Sequence, residues 1–340
     1  MKKAITIKDI AEELGLSRNT VSKALNGQYV PNKTRELVLK KAQQMNYKSF
    51  NSELLKSKKY RILLLTGKPI FNMNFYLPLV NSLETYCFDN NYDFFGYTYK
   101  PDGNAFDKVA TYIRNLNVDG IVAIECFEIE FIKKLLKLKL PTCFIDFAGH
   151  AFEIEDNFDL ISSTDQKNVC DYIKSLITKY NFKYFSFVGD FRHCLSFHER
   201  YMGMLRGLGR CNLTHSTKDD ILEDDKIFDY GNIELLKSKL KEFFRLPDCF
   251  VCCNDFVARK VATAIKELGY EIPKDTTIIG YDGVIESEEG NPKITTFYVD
   301  KTFLGEEAIR LLIGRIKNRN CPTRIMYIHS DLVERESTIK

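Results

Sequence analysis

"LSRNTVSKALNG", residues 16–27, sets two serines, a threonine, an arginine, two asparagines and a lysine around a short apolar seam. Val21, Ala24 and Leu25 fall three and four residues apart, the spacing of one helical face. Ser17 can cap that helix, and Asn26-Gly27 can stop it. Arg18, Asn19, Ser22 and Lys23 are then left on the outer face, where residues four apart stack. Such a face is either a solvated helix surface or one that meets something polar and negatively charged.

The flanking sequence narrows the choice. Upstream, Ile7, Ile10, Ala11 and Leu14 make another apolar helical stripe. Thr6 and Asp9 sit at capping-box spacing before it, and Gly15 ends it. Downstream of "QYVPN" a third helix is expected to run to about Asn46, burying Val38, Ala42 and Met45. Two short helices joined by a tight glycine turn describe a helix-turn-helix. Its second helix fits the major groove of B-DNA. There Arg or Lys donates to guanine O6 and N7, and Asn pairs with adenine. Ser17, Thr20 and the helix's first amides suit phosphates. Thr6 and Asn26, at the ends of the two helices, complete the DNA-facing set.

Charge points the same way. The 340-residue chain carries a net charge of only +3, but residues 1–60 hold 13 Lys and Arg against 5 Asp and Glu. The remainder is mildly acidic, so a basic front end precedes an acidic body. No apolar run reaches the roughly 18 residues of a membrane span. Lysines and acids interrupt the N-terminal segment, which does not read as a secretory signal. A cytoplasmic location is expected, with the ten cysteines reduced. "CFVCC" (249–253) lacks a second CxxC or a histidine pair, so its thiols read as core residues and no metal site is expected.

From Arg61 apolar strands alternate with helices: "RILLLT", a helix from about Tyr76 to Asn90, "YDFFGYTY", "AFDKVATYIRNL", "DGIVAIE", and onward to "TTIIGYD" ending at Asp282. That alternation predicts parallel sheets covered on both faces. About 280 residues suit two doubly wound halves divided near residue 160. Ligands in such folds bind beyond the carboxyl ends of strands, where Asp146, Asn254-Asp255 and Asp282 fall. Asp255 also reads as a cap for the following helix, Asp282 as a turn residue, and Phe75 and Tyr76 as core.

"ITIKDIAEELGLSRNTVSKALNG…VPNKTRELVLKKAQQMNY" closely resembles the DNA-binding headpiece of the LacI/GalR family of bacterial repressors. "HERYMGMLRGL", "CCNDFVARKVATAIKELGYEIPKDTTIIGYDG", "PKITTFYVD" and "DLVERES" extend the resemblance through the body. The resemblance implies a headpiece over 1–49, a hinge over 50–60 and a periplasmic-binding-protein-like body over 61–340. Within that body it implies an N-subdomain of about 61–160 plus 297–325 and a C-subdomain of about 161–296 plus 326–340. It places Arg18 and Asn19 at base-reading positions and Leu55 as a minor-groove wedge, with Leu54 as the alternative. It nominates Phe75, Tyr76, Asp146, Arg200, Asn254, Asp282 and Lys301 for an effector. The hinge departs from the family in carrying Ser52-Glu53 where Ala-Arg is usual, and in lacking a Pro-Asn after the tyrosine.

The expected function is a transcriptional repressor, a homodimer or larger, that binds a pseudo-palindromic operator. A small molecule in the interlobe cleft would control it, a sugar in the first reading and a purine or nucleoside in the second. A solute-binding protein would carry a signal peptide and no basic front end. An enzyme would carry a catalytic motif, and no GxSxG, Walker A, HExxH or GxGxxG occurs. No cofactor is expected.

Overall fold

The computed structural model describes residues 5–26, 30–47, 59–67, 74–100, 104–148, 154, 157–163, 166–224 and 228–339. Leu54, Leu55, Ser52, Glu53 and Gly27 lie outside these residues. The chain divides into two compact units, Met1–Lys59 and Tyr60–Lys340.

The first unit has three helices: α1 (Ile7–Leu14), α2 (Arg18–Leu25) and α3 (Asn32–Gln44). Thr6 and Asp9 form a capping box at the start of α1, and Gly15 closes it at φ 62°, a left-handed conformation that glycine adopts without strain. Ile10, Val21, Ala24, Val38 and Ala42 are fully buried together, with Leu25 and Met45 packed partly buried at their edge.

The second unit runs β1 (Arg61–Thr66), α4 (Tyr76–Asp89), β2 (Asp93–Thr98), α5 (Ala105–Leu116), β3 (Gly120–Ile124), α6 (Ile129–Leu136), β4 (Thr142–Ile145) and β5 (Asp159–Ser162). It continues with α7 (Gln166–Tyr180), β6 (Phe185–Val188), α8 (Leu195–Arg210), α9 (Ile233–Leu240), β7 (Cys249–Cys252), α10 (Asp255–Glu267) and β8 (Thr277–Asp282). It ends with α11 (Ile285–Glu288), β9 (Thr295–Tyr298), α12 (Lys301–Lys317), β10 (Arg324–Tyr327) and β11 (Asp331–Val333).

One lobe is a six-stranded sheet in the order β10-β5-β4-β3-β1-β2, and the other a five-stranded sheet in the order β11-β9-β8-β7-β6. All pairings are parallel except β11 with β9. Central strands are buried along their whole length, as helices on both faces require, whereas the edge strand β2 alternates. Cys143, Cys249, Cys252 and Cys253 are among eight cysteines buried as free thiols.

The lobe boundaries differ from the sequence reading. Boundaries at 160, 296 and 325 would cut β5, β9 and β10, each of which pairs within a single sheet. The chain instead crosses just beyond those strands: after Ser162, between Tyr298 and Lys301, and between Tyr327 and Asp331. A strand cannot be divided between lobes without breaking its ladder, so the crossings fall at strand ends.

A buried cluster fastens the first lobe. The Asp159 carboxylate, fully buried, accepts from Arg315 at 2.7 and 2.9 Å and from Arg324 at 2.6 and 2.9 Å. This links β5 to α12 and β10, elements more than 150 residues away in sequence. Burial alone would raise the Asp159 pKa, but the two guanidiniums outweigh it and hold the carboxyl below its ordinary range. Asp159→Ala leaves Arg315 buried without its counter-charge. We expect a loss of about 3–5 kcal/mol, read as a lowered urea midpoint at unchanged slope.

Candidate ligand cavity and nucleic-acid-facing helix

In the headpiece, the structure sorts the nominated polar residues by what they already bind. Thr6 exchanges hydrogen bonds with Asp9 (2.7 Å from its amide, 3.3 Å to its hydroxyl). Ser17 accepts the Thr20 amide at 3.0 Å, and the two hydroxyls lie 2.8 Å apart. Asn26 donates to the Ser22 hydroxyl at 3.3 Å. These five shape helix ends. Arg18, Asn19 and Lys23 are exposed on α2. The first turn of α2 has no acidic residue, so its N-terminal partial charge is left for an anion.

In the body, a cavity of about 340 Å³ lies between the lobes. It is lined by six of the nominated residues, Phe75, Tyr76, Asp146, Arg200, Asn254 and Asp282. The fold explains their convergence. Asp146 follows β4, Asn254 lies just beyond β7 and Asp282 ends β8, so all three sit at carboxyl ends of parallel strands. Glu125, after β3, is a fourth. Glu125, Asp146 and Asp282 have φ of 56°, 62° and 106°, left-handed conformations that cost non-glycine residues energy.

Arg200, on α8, is 3% exposed. Its guanidinium donates to the Cys253 carbonyl and, at 3.0 Å, to Asp282 Oδ1, and lies 3.7 Å from the centre of the Tyr281 ring. Burial raises the Asp282 carboxyl above its ordinary range, against the pull of Arg200 and Lys301.

Asp146 reaches across the cleft. Its Oδ1 accepts the Ser196 amide at 3.1 Å and its Oδ2 the Ser196 hydroxyl at 2.6 Å. The residue before α8, Cys194, supplies no side-chain cap, so a carboxylate from the other lobe does that work. The Leu195 amide donates to the Phe147 carbonyl beside it at 2.8 Å. On the opposite rim Asn74 donates to Glu286 Oε1 at 2.8 Å.

Two sequence readings are corrected. Lys301 does not line the cavity. Its ammonium is spent on the backbone carbonyls of Asp282, Gly283 and Val299, and burial lowers its pKa. Asp255 is not the cap of α10. Asn254 is, accepting the Val257 amide at 2.9 Å. Asp255 is fully buried beneath it and accepts the Val284 amide at 3.0 Å. Its carboxylate fits only because residue 280 is glycine, since a Cβ there would stand 2.1 Å from Oδ1.

Sequence reasoning missed Glu125, His193, Ser196, Phe197 and Glu286 in the lining. Glu125 was open to the same strand-end argument as Asp146. The others lie on helices or loops whose approach to the cleft depends on how the lobes pack.

The regular description of the two units defines a class: a helix-turn-helix headpiece joined to a two-lobed binding body. Comparison with known proteins agrees. Residues 6–49 match the family described as bacterial regulatory proteins, lacI family, and residues 177–338 match the periplasmic binding protein-like domain. The HTH-type transcriptional repressor PurR of Vibrio vulnificus is 27% identical over 342 residues, covering 98% of this chain and 99% of that protein. PurR of Vibrio cholerae is 28% identical over 349 residues, covering 98% and 97%. Among solved structures, the transcriptional regulator CelR-cellobiose complex matches at a TM-score of 0.71 with 18% identity, covering 98% of this chain and 99% of that one. The lac repressor dimer bound to operator and the anti-inducer ONPF matches at 0.65 with 19% identity, covering 99% and 100%. The chain belongs to the lacI family of bacterial regulatory proteins and is a DNA-binding transcriptional repressor of that family.

Burial, with the Asp282 charge second, pushes the Asp255 carboxyl up to about 7. In the unfolded chain it loses its proton near pH 4. The folded protein keeps the proton longer, so this group's contribution to stability falls as pH rises from there to about 7. Relative to Asp255→Asn, wild-type unfolding free energy is expected to decline across that window. Parallel pH profiles of the two proteins would contradict the assignment.

Proposed function

We propose that this repressor reads its operator through Arg18, Asn19 and Lys23 and answers to a small neutral, hydroxyl-rich molecule, a sugar, held in the interlobe cavity. The observation that carries the effector reading is the cavity's lining. Phe75, Tyr76 and Phe197 offer apolar faces to ring C–H groups, while carboxylates and Arg200 bind hydroxyls. Among the described lining residues, four carboxylates, Glu125, Asp146, Asp282 and Glu286, stand against the one guanidinium of Arg200, which disfavours phosphorylated or carboxylated ligands. A nucleobase is the second reading, favoured by full-length relatives designated PurR.

Bonds from Asp146 to Ser196 and from Asn74 to Glu286 already span the lobes. A ligand that strengthens or displaces them differs in affinity for the two lobe arrangements, which is the condition for control. Two headpieces of a homodimer would read the half-sites of a pseudo-palindrome. The protein would do this in the cytoplasm, where its DNA lies.

Two measurements test this reading. A thermal-shift panel on the full chain should show stabilisation by D-glucose, D-xylose or cellobiose and none by glucose 6-phosphate. A shift with hypoxanthine or guanine and none with sugars would select the second reading. On an operator chosen from random duplexes, Arg18→Ala should weaken binding by about 1–3 kcal/mol and relax base preference at one position per half-site. Unchanged affinity and selectivity would remove Arg18 from the base contacts.

A further inference from the structure

The carboxyl end of β8 touches each place where the chain crosses between lobes. The Tyr281 hydroxyl lies 3.0 Å from the Ser163 carbonyl, on the crossing after β5, and 2.7 Å from the Ser330 hydroxyl, on the crossing between β10 and β11. The carbonyls of Asp282 and Gly283 accept from Lys301, the first residue of α12 beyond the remaining crossing, and the Val299 carbonyl on that crossing shares the same ammonium. Tyr281 is 1% exposed and stacks on Phe297 of β9 at 5.2 Å.

Two of these residues, Tyr281 and Asp282, also hold the cavity's guanidinium. Arg200 donates to Asp282 and lies over the Tyr281 ring, 3.7 Å from its centre. Among the described residues, the hydrogen bonds of Arg200 go to Cys253 and Asp282 and not to a crossing segment. The Tyr281 ring and the Asp282 turn are the contacts that the guanidinium shares with the crossings.

We propose that Tyr281-Asp282-Gly283 is the hinge node of the body, and that Tyr281 is the positioning residue linking Arg200 to the crossings. Its ring seats the guanidinium on one side, and its hydroxyl fixes two crossings on the other. A buried tyrosine hydroxyl with two partners is costly to displace, which makes it suited to transmit a small shift rather than absorb it. The functional meaning of the link rests on the effector reading of the cavity. The link itself is a property of the ligand-free protein.

The test is amide hydrogen exchange on the full chain without ligand, so its failure is separate from failure of the sugar panel. Tyr281→Phe removes only the hydroxyl. Exchange in peptides covering Asp159–Ser163 and Arg324–Ser330 should rise roughly 2- to 10-fold, the equivalent of one lost hydrogen bond. Peptides covering β1 and β7 should not change. Arg200→Ala should accelerate the same two peptides although Arg200 touches neither, and the double variant should do no more than the larger single effect. Arg200→Lys, which keeps the charge and loses the planar stack, replaces Arg200→Ala if that variant does not fold. Effects of Arg200 confined to α8 and the end of β7, or effects that add in the double variant, would overturn the proposal.

Discussion

A guanidinium held where water does not reach is tolerable only if every neighbour is arranged around it, and Arg200 imposes that condition on the body. The guanidinium comes from α8, and its partners from the residue after β7 and from the end of β8. All three must arrive at one point, and parallel strands running in the same direction are what deliver them there. The cavity exists because the two sheets point their carboxyl ends at each other and the chain crosses at those ends. Glu125, Asp146 and Asp282 stand at those strand ends, and the backbone at all three is left-handed. The site's chemistry and the lobes' articulation are one arrangement seen from two sides.

Much of this was legible in the sequence. The apolar strand runs and the helical stripes marked β1, α5, α7 and β8 to within a residue or two, because strands buried on both faces have no ambiguity of pattern. The strand-end rule found Asp146, Asn254 and Asp282. The errors have a common cause. Asn254 and Asp255 are adjacent and chemically similar, and only the register of α10 decides which oxygen meets an amide and which is buried. Lys301 opens a helix beside the cleft, yet the carbonyls of the β8 turn lie closer to it than the cavity does. Glu286 and Ser196 reach the lining through contacts made across the lobes, and no local pattern reports those.

The headpiece shows the opposite relation between sequence and site. Its DNA-facing residues are recognised by subtraction. Thr6, Ser17, Thr20, Ser22 and Asn26 all have partners within their own or the next helical turn. The polar face of α2 is thus two populations: side chains that hold the helix ends, and the exposed Arg18, Asn19 and Lys23. On the proposed reading, the basic charge of this segment would draw the headpiece to DNA of any sequence, and Arg18, Asn19 and Lys23 would discriminate within it.

The order in which the chain is made gives the two units different histories. The headpiece core uses only residues between 5 and 47. The first lobe cannot close its sheet until β10 has been synthesised, and the second lobe buries Ser337 and Thr338 near the very end, with Ser337 bonded to the Thr295 amide and the Ile278 carbonyl. Domains generally fold as they emerge from the ribosome. In a nascent chain the headpiece core is therefore complete well before β10 and β11, which finish the two sheets of the body, have been made.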